Sequence, residues 1–138
     1  MSDKLIKQLL ETRLATWAAA RSPALRIAYQ DAAFTPNSGE TYLRCFVLPG
    51  DTGSQDLQGV HEEFVGVWQV TIVKPAGGGL GSALTIQNEL RALFPNNLQM
   101  TSGTFKLFTR SPMSAGPALT EDTNTLIPVS CRYRADTI

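Results

Sequence analysis

Between Phe64 and Phe94 a predicted strand, a glycine-rich turn and a predicted helix follow one another, an order typical of phosphate-binding sites. Their letters are FVGVWQVTIV, KPAGGGLGS and ALTIQNELRALF. A phosphate loop of the P-loop class needs a lysine and a serine or threonine directly after its last glycine. Here the last glycine, Gly81, is followed by SAL. We therefore interpret the turn as a flexible connection or a point of close backbone approach, and keep a small nucleotide- or ligand-binding domain as a remote alternative.

The single histidine, His61, stands beside Glu62 and Glu63, which are residue types used in acid–base catalysis and in metal binding. Triad chemistry needs a nucleophile and a carboxylate held beside the histidine, and the sequence contains no nucleophile-elbow motif. The other acidic pair, Glu121 and Asp122, also lacks a histidine-rich set of metal ligands. We interpret these residues as solvated loop residues, and we predict no catalytic residue, no metal site and no cofactor.

Length and charge restrict the class of protein further. A chain of 138 residues is expected to form one domain, spanning 1–138. Twelve basic residues balance twelve acidic ones, whereas nucleic-acid binding needs a concentrated positive patch. No apolar run approaches the roughly 18 residues of a membrane span, and the N-terminus does not resemble a signal peptide. We expect no direct nucleic-acid recognition, no membrane partner and a reducing, cytoplasmic site of action.

Two cysteines, Cys45 and Cys131, both fall inside predicted strands and lack CxxC spacing. The absence of CxxC spacing and the presence of only one histidine exclude a zinc finger. We expect buried, reduced thiols, and a disulfide across the sheet stays open as the alternative.

Two amphipathic helices are predicted. The first is capped by Ser2 or Asp3 and extends to about Ala20, with apolar side chains over an arc of about 180°. Arg13 falls in the middle of that arc. Either its stem packs while its guanidinium reaches solvent, or it pairs with a carboxylate, for example on a neighbouring subunit. The second helix covers about 82–94 and has an apolar stripe formed by Ala83, Ile86, Leu90, Leu93 and Phe94.

Alternation of apolar and polar residues predicts six strands, at 25–30, 41–48, 64–73, 98–101, 104–110 and 125–134. In the second strand, one side would face the core (Leu43, Cys45 and Val47) and the other would not (Tyr42, Arg44 and Phe46). The third strand is apolar on both faces, which indicates a central strand or a face covered by a partner. For Trp68 both a core position and a subunit contact therefore stay open. Pro128 predicts an edge position or a bulge for the last strand.

The element order α-β-β-β-α-β-β-β predicts an α+β fold of two layers. We expect a mixed, mostly antiparallel β-sheet with two helices packed on one face. Two long polar segments, 50–63 and 111–124, are predicted as loops. Loops of this length in a compact domain are functional or disordered.

Taken in order, these segments resemble the small tail-terminator and tail-completion proteins of long-tailed, lambda-like bacteriophages. The resemblance is carried by KLIKQLLETRLATWAAAR, LRIAYQDAAFTP, TYLRCFVLPGDT, FVGVWQVTIVKPAGGGLG joined to ALTIQNELRALFP, and IPVSCRYRADT. It covers nearly the whole chain and depends on the order and length of these pieces, since none of them is a catalytic signature.

The resemblance implies a structural protein, encoded by a phage or prophage, and not an enzyme. Copies would form a ring, expected to be a hexamer, on the last ring of the major tail-tube protein. The ring would stop tube polymerisation and provide the docking surface for the head–tail connector protein. It would lie at the head-proximal end of the virion tail after assembly in the bacterial cytoplasm. A head–tail adaptor or another tail-completion protein is the alternative.

A closed ring of identical subunits needs an interface between two different surfaces of each copy. Neutral net charge suits such packing because it leaves little repulsion between copies. The candidate contacts with a subunit or the tube are the intruding Arg13, the apolar outer residues Tyr42, Phe46 and Trp68, and the charged residues of the two long loops, Asp51, Asp56, His61, Glu62, Glu63, Glu121 and Asp122.

Overall fold

The computed structural model describes residues 2–21, 24–50, 53–54, 62–103, 105–121 and 123–136. Within these ranges the chain forms two helices and nine strands. They are α1 (Ser2–Ala20), β1 (Arg26–Ala28), β2 (Tyr42–Pro49), β3 (Gly53–Ser54), β4 (Glu62–Pro75), α2 (Gly81–Leu93), β5 (Gln99–Ser102), β6 (Phe105–Thr109), β7 (Ser114–Ala115), β8 (Leu119–Glu121) and β9 (Asn124–Asp136).

The strands form one curled, mixed sheet in the order β1-β2-β4-β9-β6-β5, with β3 on β4 and with β7 and β8 on β9. β1 is parallel to β2, and the other pairs are antiparallel. β4 and β9 are the longest strands and pair from Glu63–Asp136 to Pro75–Asn124. The predicted α+β class with a mixed, mostly antiparallel sheet is confirmed.

The hydrophobic core joins both helices to alternate residues of the strands. From α1 it takes residues four apart along one stripe, namely Ile6, Leu10, Leu14 and Ala18. From α2 it takes the predicted Ala83, Ile86, Leu90 and Phe94. We call the side of the sheet that carries Leu43, Cys45, Trp68 and Val129 the core face, because these residues belong to the same cluster. The opposite side is called the outer face.

An ion pair fastens the end of α1 to α2. Arg21 donates from Nε and Nη2 to the two carboxylate oxygens of Glu89, at 3.1 and 2.8 Å. This two-point hydrogen bond lowers the pKa of Glu89 and raises that of Arg21. The guanidinium also lies 5.7 Å from the centre of the Trp17 ring. The relative position of the two helices is thus set by a directional polar contact as well as by packing.

Pro128 does not lie at an edge or a bulge as predicted, because β9 has neighbours on both sides and pairs regularly with β4. The Pro128 carbonyl accepts a hydrogen bond from the Gly116 N–H at 2.8 Å. Within a strand, the N–H and C=O of one residue point to the same side. The missing N–H of Pro128 therefore faces the gap between β7 and β8, where no ladder bond is needed.

The predicted loops contain short strands. β7 and β8 lie within 111–124, and β3 lies within 50–63 and pairs with the start of β4. The first predicted strand is shorter than expected, with only Arg26–Ala28 in the sheet. These strands have two or three residues each and are formed by pairing with a longer neighbour. Neither helix of the described chain is long and apolar enough to cross a membrane.

Candidate functional site

The glycine-rich turn before α2 reverses the chain direction. Gly77 and Gly79 have φ angles of +94° and +78°, which side chains other than glycine rarely tolerate. A Cβ added at either position would meet nothing within 4 Å, so close backbone approach within this chain does not explain them. Lys74, the basic residue before the turn, is 5% exposed and donates from Nζ to the Pro75 carbonyl. The positive φ angles thus explain why Gly77 and Gly79 occur in this turn.

Among the described residues, the charged candidates Glu63 and Glu121 lie in separate ion pairs. Glu63 forms an ion pair with Arg134 of β9 at 3.1 Å. Glu121 is exposed on β8, and its carboxylate lies 4.0 Å from Arg44. No group of three His, Cys, Asp or Glu side chains among the described residues could hold a metal ion. The candidates outside the described residues are Asp51, Asp56, His61 and Asp122, and Glu62 is described only as a backbone position of β4.

Both thiols are free and buried. Burial raises the pKa of Cys45 to about 12 and that of Cys131 to about 11. The Cys45 Sγ also contacts the Glu11 carboxylate at 3.9 Å, which adds to the shift. A thiolate is the reactive form of cysteine, and these environments disfavour it. The two cysteines act as small core residues.

The three aromatic candidates differ in accessibility. Trp68 is fully buried, with its ring 5.9 Å from that of Phe94, so the expectation that it lies on the outer side is wrong. Its cross-strand neighbours Val47 and Cys131 are core residues too, which fixes the face to which it points. Tyr42 does lie on the outer face, but Phe34 covers it at 4.9 Å. Phe46, which is half-buried, is the accessible aromatic residue of the three.

Around Phe46 the outer face carries an apolar patch. The register places Leu48 beside Val67, and Arg134 between Val65 and Phe108. We define the outer-face patch as the half-buried or exposed apolar residues Phe46, Leu48, Val65, Val67 and Phe108. Among these only Phe46 was named from the sequence as a candidate contact. The alternation of β2 and β4 could have identified three others, because both faces of these strands are apolar.

A groove of about 810 Å³ lies between α1, the end of α2 and the edge strand β5. Its lining includes the half-buried apolar residues Leu5, Leu9, Trp17 and Leu93, and Arg13 is the one charged lining residue described. The Arg13 Nε donates to the Leu93 carbonyl at 2.7 Å, so the guanidinium caps the carbonyl end of α2. No carboxylate of the described chain pairs with Arg13, and whether a neighbouring subunit supplies one stays a prediction.

Comparison with known proteins adds a family to this description. A family model described as phage tail terminator protein matches residues 5–133. One solved structure is 43% identical and superposes with a TM-score of 0.84, covering 100% of this chain and 98% of that chain. No curated protein matches this chain. The family match runs from α1 into β9 and therefore includes the groove and the outer-face patch.

Proposed function

Since this chain belongs to the phage tail terminator protein family, it is a structural protein of the phage tail, and we propose that its copies form a ring that caps the tail tube. The ring contains six copies and sits at the head-proximal end of the tail. It stops polymerisation of the major tail-tube protein and provides the docking surface for the head–tail connector protein. Assembly takes place in the cytoplasm of the host bacterium.

The outer-face patch is the structural observation that carries this proposal. We infer that both helices lie on the core face and leave the outer face to other proteins. Leu48 alone is 46% exposed. Phe46, Val65 and Val67 lie near it on the paired strands β2 and β4, and Phe108 lies on the far side of Arg134. Exposed apolar surface on a folded protein is typical of an interaction site, because burial against a partner removes it from water.

In this proposal the protein acts by covering and presenting binding surfaces, and not through a catalytic group. Membership of a structural tail family indicates a role without catalysis. Among the described candidates of catalytic type, Glu63 is engaged in an ion pair, and Cys45 and Cys131 are buried in the core. A cap can stop a polymer by covering the surface on which the next subunit would bind.

Tube growth in the presence of this protein tests the proposal. Purified tail-tube protein would be polymerised with and without it, and tube lengths and tube ends measured by electron microscopy. We expect shorter tubes with a ring of additional density at one end, and native mass spectrometry of the released cap gives its copy number. Unchanged growth with bare tube ends would contradict capping. Binding to the connector protein without binding to tubes would instead favour the head–tail adaptor.

A further inference from the structure

We propose that, in the ring, β8 of one copy sits in the groove between α1 and β5 of the next copy. Glu121 then pairs with the neighbour's Arg13, and Leu119 packs on the apolar lining beside it. This inference rests on the proposed ring and specifies which two surfaces of each copy meet.

The cation of the groove, Arg13, has no carboxylate partner among the described residues and lies beside large apolar side chains. Arg13 is half-buried, and the contact described for its guanidinium is the single Nε bond to the Leu93 carbonyl. A guanidinium carries five N–H donors, so the two terminal nitrogens keep their capacity to bind a carboxylate. Leu9 and Trp17 lie one helical turn before and after it and also line the groove. A suitable occupant therefore combines a carboxylate with a large apolar side chain.

β8 presents this combination. All three of its residues are exposed, and Leu119 is 56% exposed, the highest value among the exposed large apolar residues. The Glu121 side chain is 59% exposed, and its distance of 4.0 Å from Arg44 leaves that contact weak. Residues two apart in a strand point to the same side. Leu119 and Glu121 are thus available together on one surface of the strand.

The distance between Leu119 and Glu121 along β8 is similar to the distance between Arg13 and its apolar neighbours along α1. Two residues along a strand are separated by about 6.6 Å. Four residues along a helix, the separation between Arg13 and either Leu9 or Trp17, correspond to about 6 Å. One strand can therefore place its carboxylate on Arg13 and its leucine on the neighbouring apolar residue at the same time.

The two surfaces lie near opposite ends of β9. β8 pairs with the first residues of β9, up to Leu126. β6, which carries β5, pairs with the last residues of β9, from Tyr133 onward. A separation of nine positions along a strand, such as that from Thr125 to Arg134, corresponds to about 30 Å. A contact between two different surfaces of a subunit is the head-to-tail type that can close into a ring.

Cross-linking between introduced cysteines tests this contact. The double variant Thr12→Cys/Thr120→Cys places one thiol on α1 at the groove and one on β8, both at exposed positions. Thr120 points to the side of the strand opposite Leu119 and Glu121, so both contacting side chains are kept and the linker spans the width of the strand. Burial of Cys45 and Cys131 keeps the native thiols slow to react. With a short bismaleimide and tube ends present, we expect a ladder of cross-linked species on a denaturing gel, up to the full ring. Each single variant stops at dimers, because one thiol per copy cannot extend a chain.

The control pair is Thr85→Cys/Thr120→Cys, since Thr85 is exposed on α2 outside the groove. If electron microscopy shows rings on tubes but the groove pair gives no more ladder than the control pair, the contact is wrong and the capping function stands. If no ring forms on tubes even with unmodified protein, the proposed function fails and this inference fails with it.

Charge reversal provides an independent readout. Arg13→Glu or Glu121→Arg alone is expected to lower ring occupancy on tubes by about tenfold or more, and the double reversal to restore most of it. Because Arg13 also caps α2, melting curves must show that each variant is folded. Leu119→Asp serves as a variant that does not touch this cap, with Leu84→Asp, at a leucine 48% exposed, as its control. Equal ring occupancy for Leu119→Asp and Leu84→Asp would overturn the proposal.

Discussion

Both faces of β2 and β4 carry apolar residues, yet these residues have different surroundings. On the core face, Leu43, Cys45, Trp68 and Val70 are fully buried and belong to one cluster with residues of both helices. On the outer face, the outer-face patch around Phe46 is half-buried or exposed. The chain itself thus buries the core face, and it also covers the outer face at Tyr42, whereas the outer-face patch is left for the proposed assembly. Hydrophobicity alone does not distinguish a residue that serves folding from one that serves assembly.

The largest loss of stability that the comparison of the two faces predicts is at Trp68. Trp68→Ala is expected to lower the free energy of unfolding by about 3–5 kcal/mol, because it removes a fully buried ring that packs on Phe94. Phe46→Ala, on the other face of the adjacent strand, is the matched control and should cost about 1 kcal/mol or less. Urea denaturation of both variants measures the difference. Equal losses would mean that the two faces contribute alike to the stability of one copy.

A glycine on the core face gives the next effect. A Cβ at Gly66 would lie 2.5 Å from both the Leu48 carbonyl oxygen and the Tyr133 hydroxyl. Gly66→Ala must therefore shift a strand or a buried ring, and we expect a loss of about 1–3 kcal/mol in the free energy of unfolding. Gly78→Ala is the control, since a Cβ there meets nothing within 4 Å. A Gly66→Ala protein that melts like the Gly78→Ala protein would show that this packing is looser than described.

The alternation of residues in the sequence was sufficient to assign the core face of β2. Leu43, Cys45 and Val47 could be placed on the core face because strict alternation in a strand separates them from their neighbours. Trp68 could not be placed, because both faces of its strand are apolar and only the register with Val47 and Cys131 decides between them. The sequence therefore predicts the α+β class and the strand content better than it predicts which face a partner covers.

The groove and the short strands depend on contacts between distant residues. Arg13 meets the Leu93 carbonyl across 80 positions of sequence, and no local pattern contains that distance. β7 and β8 lie in a mostly polar stretch that contains two prolines and one glycine. They form because β9 offers unpaired backbone groups beside them. Both ends of the contact proposed between copies thus come from tertiary structure, although Arg13 and Glu121 were each notable in the sequence.

The ion pair between the helices provides a smaller, pH-dependent effect on stability. Glu89→Gln should lower the free energy of unfolding by about 0.5–1 kcal/mol at neutral pH, since the pair is partly exposed. Pairing with Arg21 lowers the pKa of Glu89 below its ordinary value of 4.5. Its stabilisation is therefore present above pH 4.5 and is lost as the pH falls through the lowered pKa. Melting curves of both proteins should converge below that range, and a constant difference would assign the effect to something other than this charge.

The smallest effect on folding should accompany the largest effect on assembly. Phe46→Ser removes the accessible aromatic residue of the outer-face patch, and we expect a change in the free energy of unfolding of about 1 kcal/mol or less. The tube-growth experiment should nevertheless show tubes that continue to grow, because the apolar surface that a partner would bury has been interrupted. Leu84→Ser removes a similarly accessible apolar side chain, 48% exposed on α2, and should cap normally. If Phe46→Ser caps as well as Leu84→Ser does, the outer face is not where this protein meets its partners, and the difference between the two faces has another cause.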